Sequence, residues 1–125
     1  MSKNHFLLAF LCSFCITLNA SADYIDGQRA YASGDYEAAI LEWTQVAQDG
    51  NARAQYNLGW MHANGRGIAQ DFQEAIKWYT KAAEQGNVNA QYNLGNLYLR
   101  GQGASQNDNL AFSWFIKAAE QGDAP

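Results

Sequence analysis

The sequence of 125 residues predicts an all-α fold, an α/α solenoid of about three helix-turn-helix repeats. Three observations carry that prediction. The hexapeptide AQYNLG stands at Ala54–Gly59 and again at Ala90–Gly95, 36 positions later. When Gly50–Gln85 is written above Gly86–Gln121, 18 of 36 columns are identical, where unrelated segments would share about two. Within each block, apolar and small residues recur at helical spacing, and the one Pro is the last residue, so nothing interrupts a helix. Repetition at a period of 20–50 residues is the sign of a stacked-repeat architecture.

Residues 1–22 are of another kind. Met1-Ser2-Lys3-Asn4-His5 carries one Lys, Phe6–Leu18 is apolar, and Ala20-Ser21-Ala22 is a small-residue cleavage pattern. This reads as a secretory signal peptide cut after Ala22, which predicts an exported protein, periplasmic or secreted. The apolar run of 13 residues falls short of the ~20 that a membrane-spanning helix needs. Neither Cys12 nor Cys15 follows the small residues of a lipoprotein site. The chain from Asp23 on is one small domain without cysteine, so its stability must come from packing rather than disulfides. Loss of Lys3 takes the formal charge from −4 to −5. An acidic balance with scattered Lys and Arg offers no footprint for nucleic acid or anionic lipid, and no later segment predicts membrane insertion.

The first helix pair falls in 23–49. Tyr24–Ala32 is a helix candidate, Ser33-Gly34-Asp35 a turn, and Ala39, Trp43, Val46 and Ala47 align with Ala75, Tyr79, Ala82 and Ala83 at the same period. The second pair, 50–85, places Ala54, Leu58 and Met61 on one helix face and Ala75, Trp78, Tyr79, Ala82 and Ala83 on the next. The third, 86–121, repeats this with Ala90, Leu94 and Leu97, then Ala111, Trp114, Phe115, Ala118 and Ala119. Gly50, Gly86 and Gly122 are predicted C-terminal stops, and Asn51 and Asn87 N-caps. Asp71 with Glu74 resembles a capping box. Gly65-Arg66-Gly67 and Gly101-Gln102-Gly103 suit a chain leaving a helix with positive φ. Recurrence of Gly59 and Gly95 inside predicted helices, where Gly costs about 1 kcal/mol, implies that a side chain there would clash. Residues 122–125 read as the start of a possible further repeat, which would leave Trp114, Phe115 and Ala118 without a cover and predicts self-association through an uncapped C-terminal repeat.

Ala54-Gln55-Tyr56-Asn57-Leu58-Gly59, Gly65-Arg66-Gly67, Asp71, Ala75, Trp78-Tyr79 and Lys81-Ala82-Ala83-Glu84-Gln85-Gly86 together resemble the Sel-one-like repeat, a relative of the tetratricopeptide repeat with a longer inter-helix loop. The second copy, Ala90 to Gly122, is as close, and the shorter first pair is more like a plain tetratricopeptide repeat. Two departures stand out: Asn107-Asp108 replaces Asp71-Phe72, and His62 occupies a position where the family has Tyr, as at Tyr98. The resemblance implies a right-handed superhelix that binds a peptide or partner protein on its concave side, and it links exported bacterial members to envelope processes and host-cell contact. Cysteine-rich relatives with a disulfide in each repeat are associated with β-lactam binding; this chain lacks those cysteines.

In tetratricopeptide-like repeats the first helix of each pair lines the groove. That places Arg53, Tyr56, Trp60 and Asn64 on the binding face, followed by Asn89, Tyr92, Asn96 and Arg100, with Tyr24, Gln28 and Tyr31 from the first pair. Trp60 against Asn96 and Asn64 against Arg100 are the informative differences, because columns free to vary can serve a ligand. Tyr, Trp and Arg anchor binding hot spots, and Asn can both donate to and accept from a peptide backbone. The recurring Tyr56 and Tyr92 fit packing with a wet hydroxyl, and Asn57 and Asn93 fit a structural role, bonding backbone of the neighbouring helix. No catalytic set emerges. His62 is the one His after the leader and has no second His or Cys to make a metal site, Ser-x-x-Lys is absent, and the Gly-rich loops lack the strand and Lys of a phosphate cradle. No cofactor is predicted. The sequence thus predicts a non-enzymatic adaptor, the alternative being a cell-envelope accessory that binds peptidoglycan or a β-lactam, or a weak hydrolase.

Overall fold

The structure, a computed structural model, describes residues 23–122. They form six α-helices: α1 (Tyr24–Ala32), α2 (Tyr36–Gln48), α3 (Ala52–Asn64), α4 (Phe72–Glu84), α5 (Val88–Arg100) and α6 (Asp108–Gly122). The predicted signal peptide lies outside the described residues. Each helix packs on the next in sequence, and α3 also touches α5. The result is an all-α solenoid of three hairpins, α1–α2, α3–α4 and α5–α6.

Short polar side chains start the helices. Asp23, Asp35, Asn51, Asp71 and Asn87 each accept from one or two otherwise unpaired amides of the first turn. At Asp71 only half of the capping box forms. Its carboxylate accepts from the Gln73 and Glu74 amides at 3.0 and 3.1 Å, while its own N–H donates to the His62 carbonyl at 2.9 Å and Glu74 turns to Lys77. α3 and α5 end in left-handed glycines, Gly65 (φ 61°) and Gly101 (φ 65°). Gly50 and Gly86 have positive φ as their predicted role requires; Gly122 does not, and closes α6 as a helical residue.

The Gly-x-Gly loops tie one repeat to the one before. A Cβ on Gly67 would run into the side chain of Tyr36, and a Cβ on Gly103 would lie 2.6 Å from the Phe72 carbonyl carbon. Tyr36 and Phe72 are the first residues of α2 and α4, so each loop seats on the start of the preceding hairpin's second helix.

Within each hairpin a glycine on the first helix faces a ring on the second. The pairs are Gly27 with Trp43, Gly59 with Tyr79 and Gly95 with Phe115. A Cβ would sit 2.5 Å from Tyr79 Cδ1 at Gly59 and 2.6 Å from Phe115 Cε1 at Gly95. The core forms two clusters. Trp43, Leu58, Met61 and Trp78 anchor one; Tyr79, Leu94 and Leu97 anchor the other, with Ala supplying the close approaches in both. Trp78 and Tyr79 are neighbours on α4 but point to different clusters, and Trp60 packs against both. That division explains why the apolar stripe of α4 is broad.

Each junction between hairpins also holds a buried amide pair. Gln55 donates to the Ala47 carbonyl at 3.0 Å in the last turn of α2, and Gln85 donates to Gln55 Oε1 at 2.8 Å and to the Gly50 carbonyl at 2.9 Å. One repeat on, Gln91 donates to the Ala83 carbonyl at 3.1 Å and Gln121 to Gln91 Oε1 at 2.9 Å. These amides satisfy carbonyls that the ends of α2 and α4 would otherwise leave unpaired.

The expected exposure of Trp114, Phe115 and Ala118 needs correcting. Ala118 is buried, Trp114 packs on the second cluster with Lys117 Nζ 4.6 Å from its ring centre, and Phe115 is half-buried against Gly95. The uncovered large residues of α6 are Phe112 and Ile116.

Candidate partner-binding groove

On the side where α1, α3 and α5 lie next to one another, two clefts share Trp60. The first, about 340 Å³, lies between α1 and α3 and is lined by Tyr24, Gln28, Tyr31, Trp43, Tyr56, Asn57, Trp60 and Met61. Its floor is aromatic. Tyr24 stacks on Trp43 at 6.0 Å, Tyr31 meets Trp43 at 5.8 Å, and Trp60 presents an edge-to-face contact to Tyr31 at 6.4 Å. Amides pin the tyrosines: Asn57 Nδ2 donates to the Tyr24 hydroxyl at 3.0 Å and Gln28 Nε2 to the same oxygen at 3.4 Å.

The second cleft, about 420 Å³, lies between α3 and α5. Trp60, Phe72, Tyr79 and Leu97 give it apolar wall, while Asn64, Gln70, Asn93, Asn96 and Gln102 bring amides and Arg100 a guanidinium. Arg100 is exposed and makes no ion pair among the described residues. Asn93 Nδ2 donates to the Tyr79 hydroxyl at 3.4 Å. Burial pushes that hydroxyl well above the usual tyrosine range, with Tyr56 adding to the rise and the Asn93 hydrogen bond opposing it. Arg66 lies at the rim, its guanidinium 5.8 Å from the Trp60 ring and 5.4 Å from that of Tyr36, with Nη1 donating to the Tyr36 hydroxyl at 3.3 Å.

Of the residues that the sequence assigns to the binding face, Tyr56, Trp60, Asn64, Asn96 and Arg100 line a cleft, as do Tyr24, Gln28 and Tyr31. Asn64 spends its amide on the Trp60 carbonyl at 2.9 Å. Arg53, Asn89 and Tyr92 are exposed and line neither cleft. Tyr92 instead lies 5.6 Å from Phe115. Asn57 and Asn93 correct the expectation in another way: they bond tyrosine hydroxyls rather than backbone, and each lines a cleft. Trp43, Gln70, Phe72 and Gln102 are lining residues that the first-helix rule misses, since they come from second helices and loops. The Gly-rich loops were the available signal for Gln70 and Gln102, because such a loop must fold back over the helix it leaves.

No group of three metal-ligating side chains occurs among the described residues. His62 Nδ1 is buried without a hydrogen-bond partner there. No helix among the described residues is long and apolar enough to cross a membrane.

Stacked hairpins with a two-cleft groove on their first-helix side define a helical-repeat solenoid. The Sel1 repeat family model matches residues 52–87 and 88–123. The chain belongs to the Sel1 repeat family, whose members are generally scaffolds for protein interaction. Among solved structures it resembles a Sel1 repeat protein from Oxalobacter formigenes, with 37% identity and a TM-score of 0.75 over 79% of this chain and 41% of that one. It also resembles c5321, a protective antigen present in uropathogenic Escherichia coli strains that displays the same repeat fold, with 38% identity and a TM-score of 0.73 over 82% of this chain and 24% of that one. The chain thus spans less than half the length of either. Comparison with curated proteins gives no significant match.

Proposed function

We propose that this protein is an exported scaffold that holds a peptide or an extended segment of a partner protein in the groove formed by α1, α3 and α5. One observation carries the reading: the two clefts meet at Trp60, giving a surface that runs across all three hairpins. Its chemistry changes along its length. The first cleft is aromatic and uncharged, suited to an apolar side chain; the second offers amides for a peptide backbone and Arg100 for a carboxylate. Export rests on residues 1–22, with their apolar run and Ala-Ser-Ala ending.

An unbiased pull-down from the cell-envelope fraction supplies the partner, and titration against variants tests the groove. Trp60→Ala and Arg100→Ala are expected to weaken binding by roughly tenfold or more each, the scale of a hot-spot truncation. Because Trp60 also packs on both core clusters, its variant is read beside a thermal melt, and Gln28→Ala probes the first cleft without touching the core. Parental affinity in all three variants would place the site elsewhere.

Aromatic rings with flanking amides in the first cleft also suit a sugar ring, which favours cell-wall binding as the second reading. Muropeptide titration separates the two, and turnover of a reporter β-lactam would defeat the scaffold reading.

A further inference from the structure

We infer that the outer face of α6 is a self-association surface on which a second copy of this chain docks through its own α6, antiparallel and about a two-fold axis. The inference starts from equivalent columns. On α4 the face formed by Ile76, Tyr79, Thr80 and Ala83 is covered by α5, and Tyr79 and Ala83 are each 2% exposed. The same columns on α6 hold Phe112, Phe115, Ile116 and Ala119. Here Phe112 and Ile116 are 55% and 57% exposed, Ala119 is exposed and Phe115 is half-buried. An end that faced water would trade apolar residues for polar ones. This end does the reverse. The column that is Thr at Thr44 and Thr80 becomes Ile116, and Ile40 and Ile76 give way to the larger Phe112. A contiguous apolar stripe of this kind marks an interaction surface.

The other end of the stack shows the contrast. The contact between Gly27 and Trp43 aligns α1 with α3 and α5. In that alignment Asp26 takes the column of buried Leu58 and Leu94, and Arg29 that of Met61 and Leu97. Asp26 and Arg29 pair at 3.3 Å with both side chains open to water. Seating this charged face on Phe112 and Ile116 would strand both ions in an apolar contact. Head-to-tail stacking of copies is therefore disfavoured, and an isologous contact of α6 with α6 is what remains for a second copy.

The stripe is self-complementary in that arrangement. Positions 112, 115, 116 and 119 follow the i, i+3, i+4, i+7 spacing of one helix face. An axis passing between Phe115 and Ile116 sets the bulky Phe112 of each copy opposite the small Ala119 of the other, and Phe115 opposite Ile116. The stripe holds no charged residue, and the nearest Lys, Lys117, is occupied by Trp114. None of the four residues lines a cleft, so the groove stays open in the pair.

The test is sedimentation velocity of the full chain across a micromolar to sub-millimolar range, with Ile116→Thr and Ile116→Glu as variants. Thr is the residue of the preceding repeats at this column, so the first variant keeps the fold. A monomer–dimer equilibrium is expected, weakened by roughly tenfold or more in Ile116→Glu and less in Ile116→Thr, with unchanged circular dichroism. A second readout uses single cysteines in a Cys12→Ser, Cys15→Ser background. Ile116→Cys, next to the axis, is expected to form an intermolecular disulfide under mild oxidation, and Leu41→Cys, exposed on α2, is not. A monomer throughout the range, a dimer indifferent to Ile116→Glu, or growth past the dimer would each overturn the inference.

Discussion

At Gly59 one methylene decides how closely α3 can lie on α4. Its missing Cβ would stand 2.5 Å from the Tyr79 ring, whose side chain is buried and has nowhere to retreat. Gly59→Leu is expected to cost about 1–3 kcal/mol through overpacking, read as a lowered Tm. This constraint was legible, because Gly recurred in a helix where it is otherwise unfavourable. The roles of Asn57 and Asn93 were only half legible: recurrence marked them as structural, but their partners are hydroxyls on other helices, out of reach of sequence spacing. Tyr79 carries a pH dependence. Its buried hydroxyl holds its proton above the usual tyrosine range, whereas in the unfolded chain it ionises near pH ~10. The stabilisation is therefore complete below the unfolded value and is lost as pH rises from there toward the folded one. Thermal melts between neutral and strongly alkaline pH should fall more gently for Tyr79→Phe than for the parent. A parallel fall in both would show that Tyr79 does not drive it.

At the scale of the element, caps and junctions divide the work. The N-caps at Asn51 and Asn87 could be read directly, since an Asn after a Gly and before an apolar run has a local explanation. The glutamine pairs could not. Gln55 and Gln91 recur and so do Gln85 and Gln121, yet only the packing of hairpins brings each amide to its mate and to the Ala47 or Ala83 carbonyl. Replacing Gln55 with Leu leaves that carbonyl and one Gln85 donor without partners at a buried junction. A loss of about 1–3 kcal/mol is expected. A double-mutant cycle with Gln85→Ala should show coupling between the two, and additive losses would mean that they act separately. The loops illustrate the same division. Two glycines in three positions announced a turn, but not that the turn would land on Tyr36 or Phe72 of the hairpin before. That contact also gives a reading of the departure at Asp108: the ring it replaces is a seat for the loop of a following repeat.

For the whole molecule, a period of 36 residues was enough to give the architecture, because a helix pair with one apolar face can bury it only against its neighbours. The groove was less accessible. Periodicity says which columns repeat, while a cleft depends on how far adjacent first helices splay and on which second-helix rings show through the gap. Trp43 and Phe72 enter the clefts for that reason, and Arg53 and Asn89, on the correct helices but at their near ends, do not. The seam of glycine against ring has a practical consequence at this scale. The ring is an indole in the first hairpin, a phenol in the second and a phenyl in the third, at Trp43, Tyr79 and Phe115. Three equivalent seats thus bear three different chromophores. The order in which the stack opens can be followed by ultraviolet spectroscopy, from Trp43 emission and the delayed ionisation of Tyr79, with no dye attached.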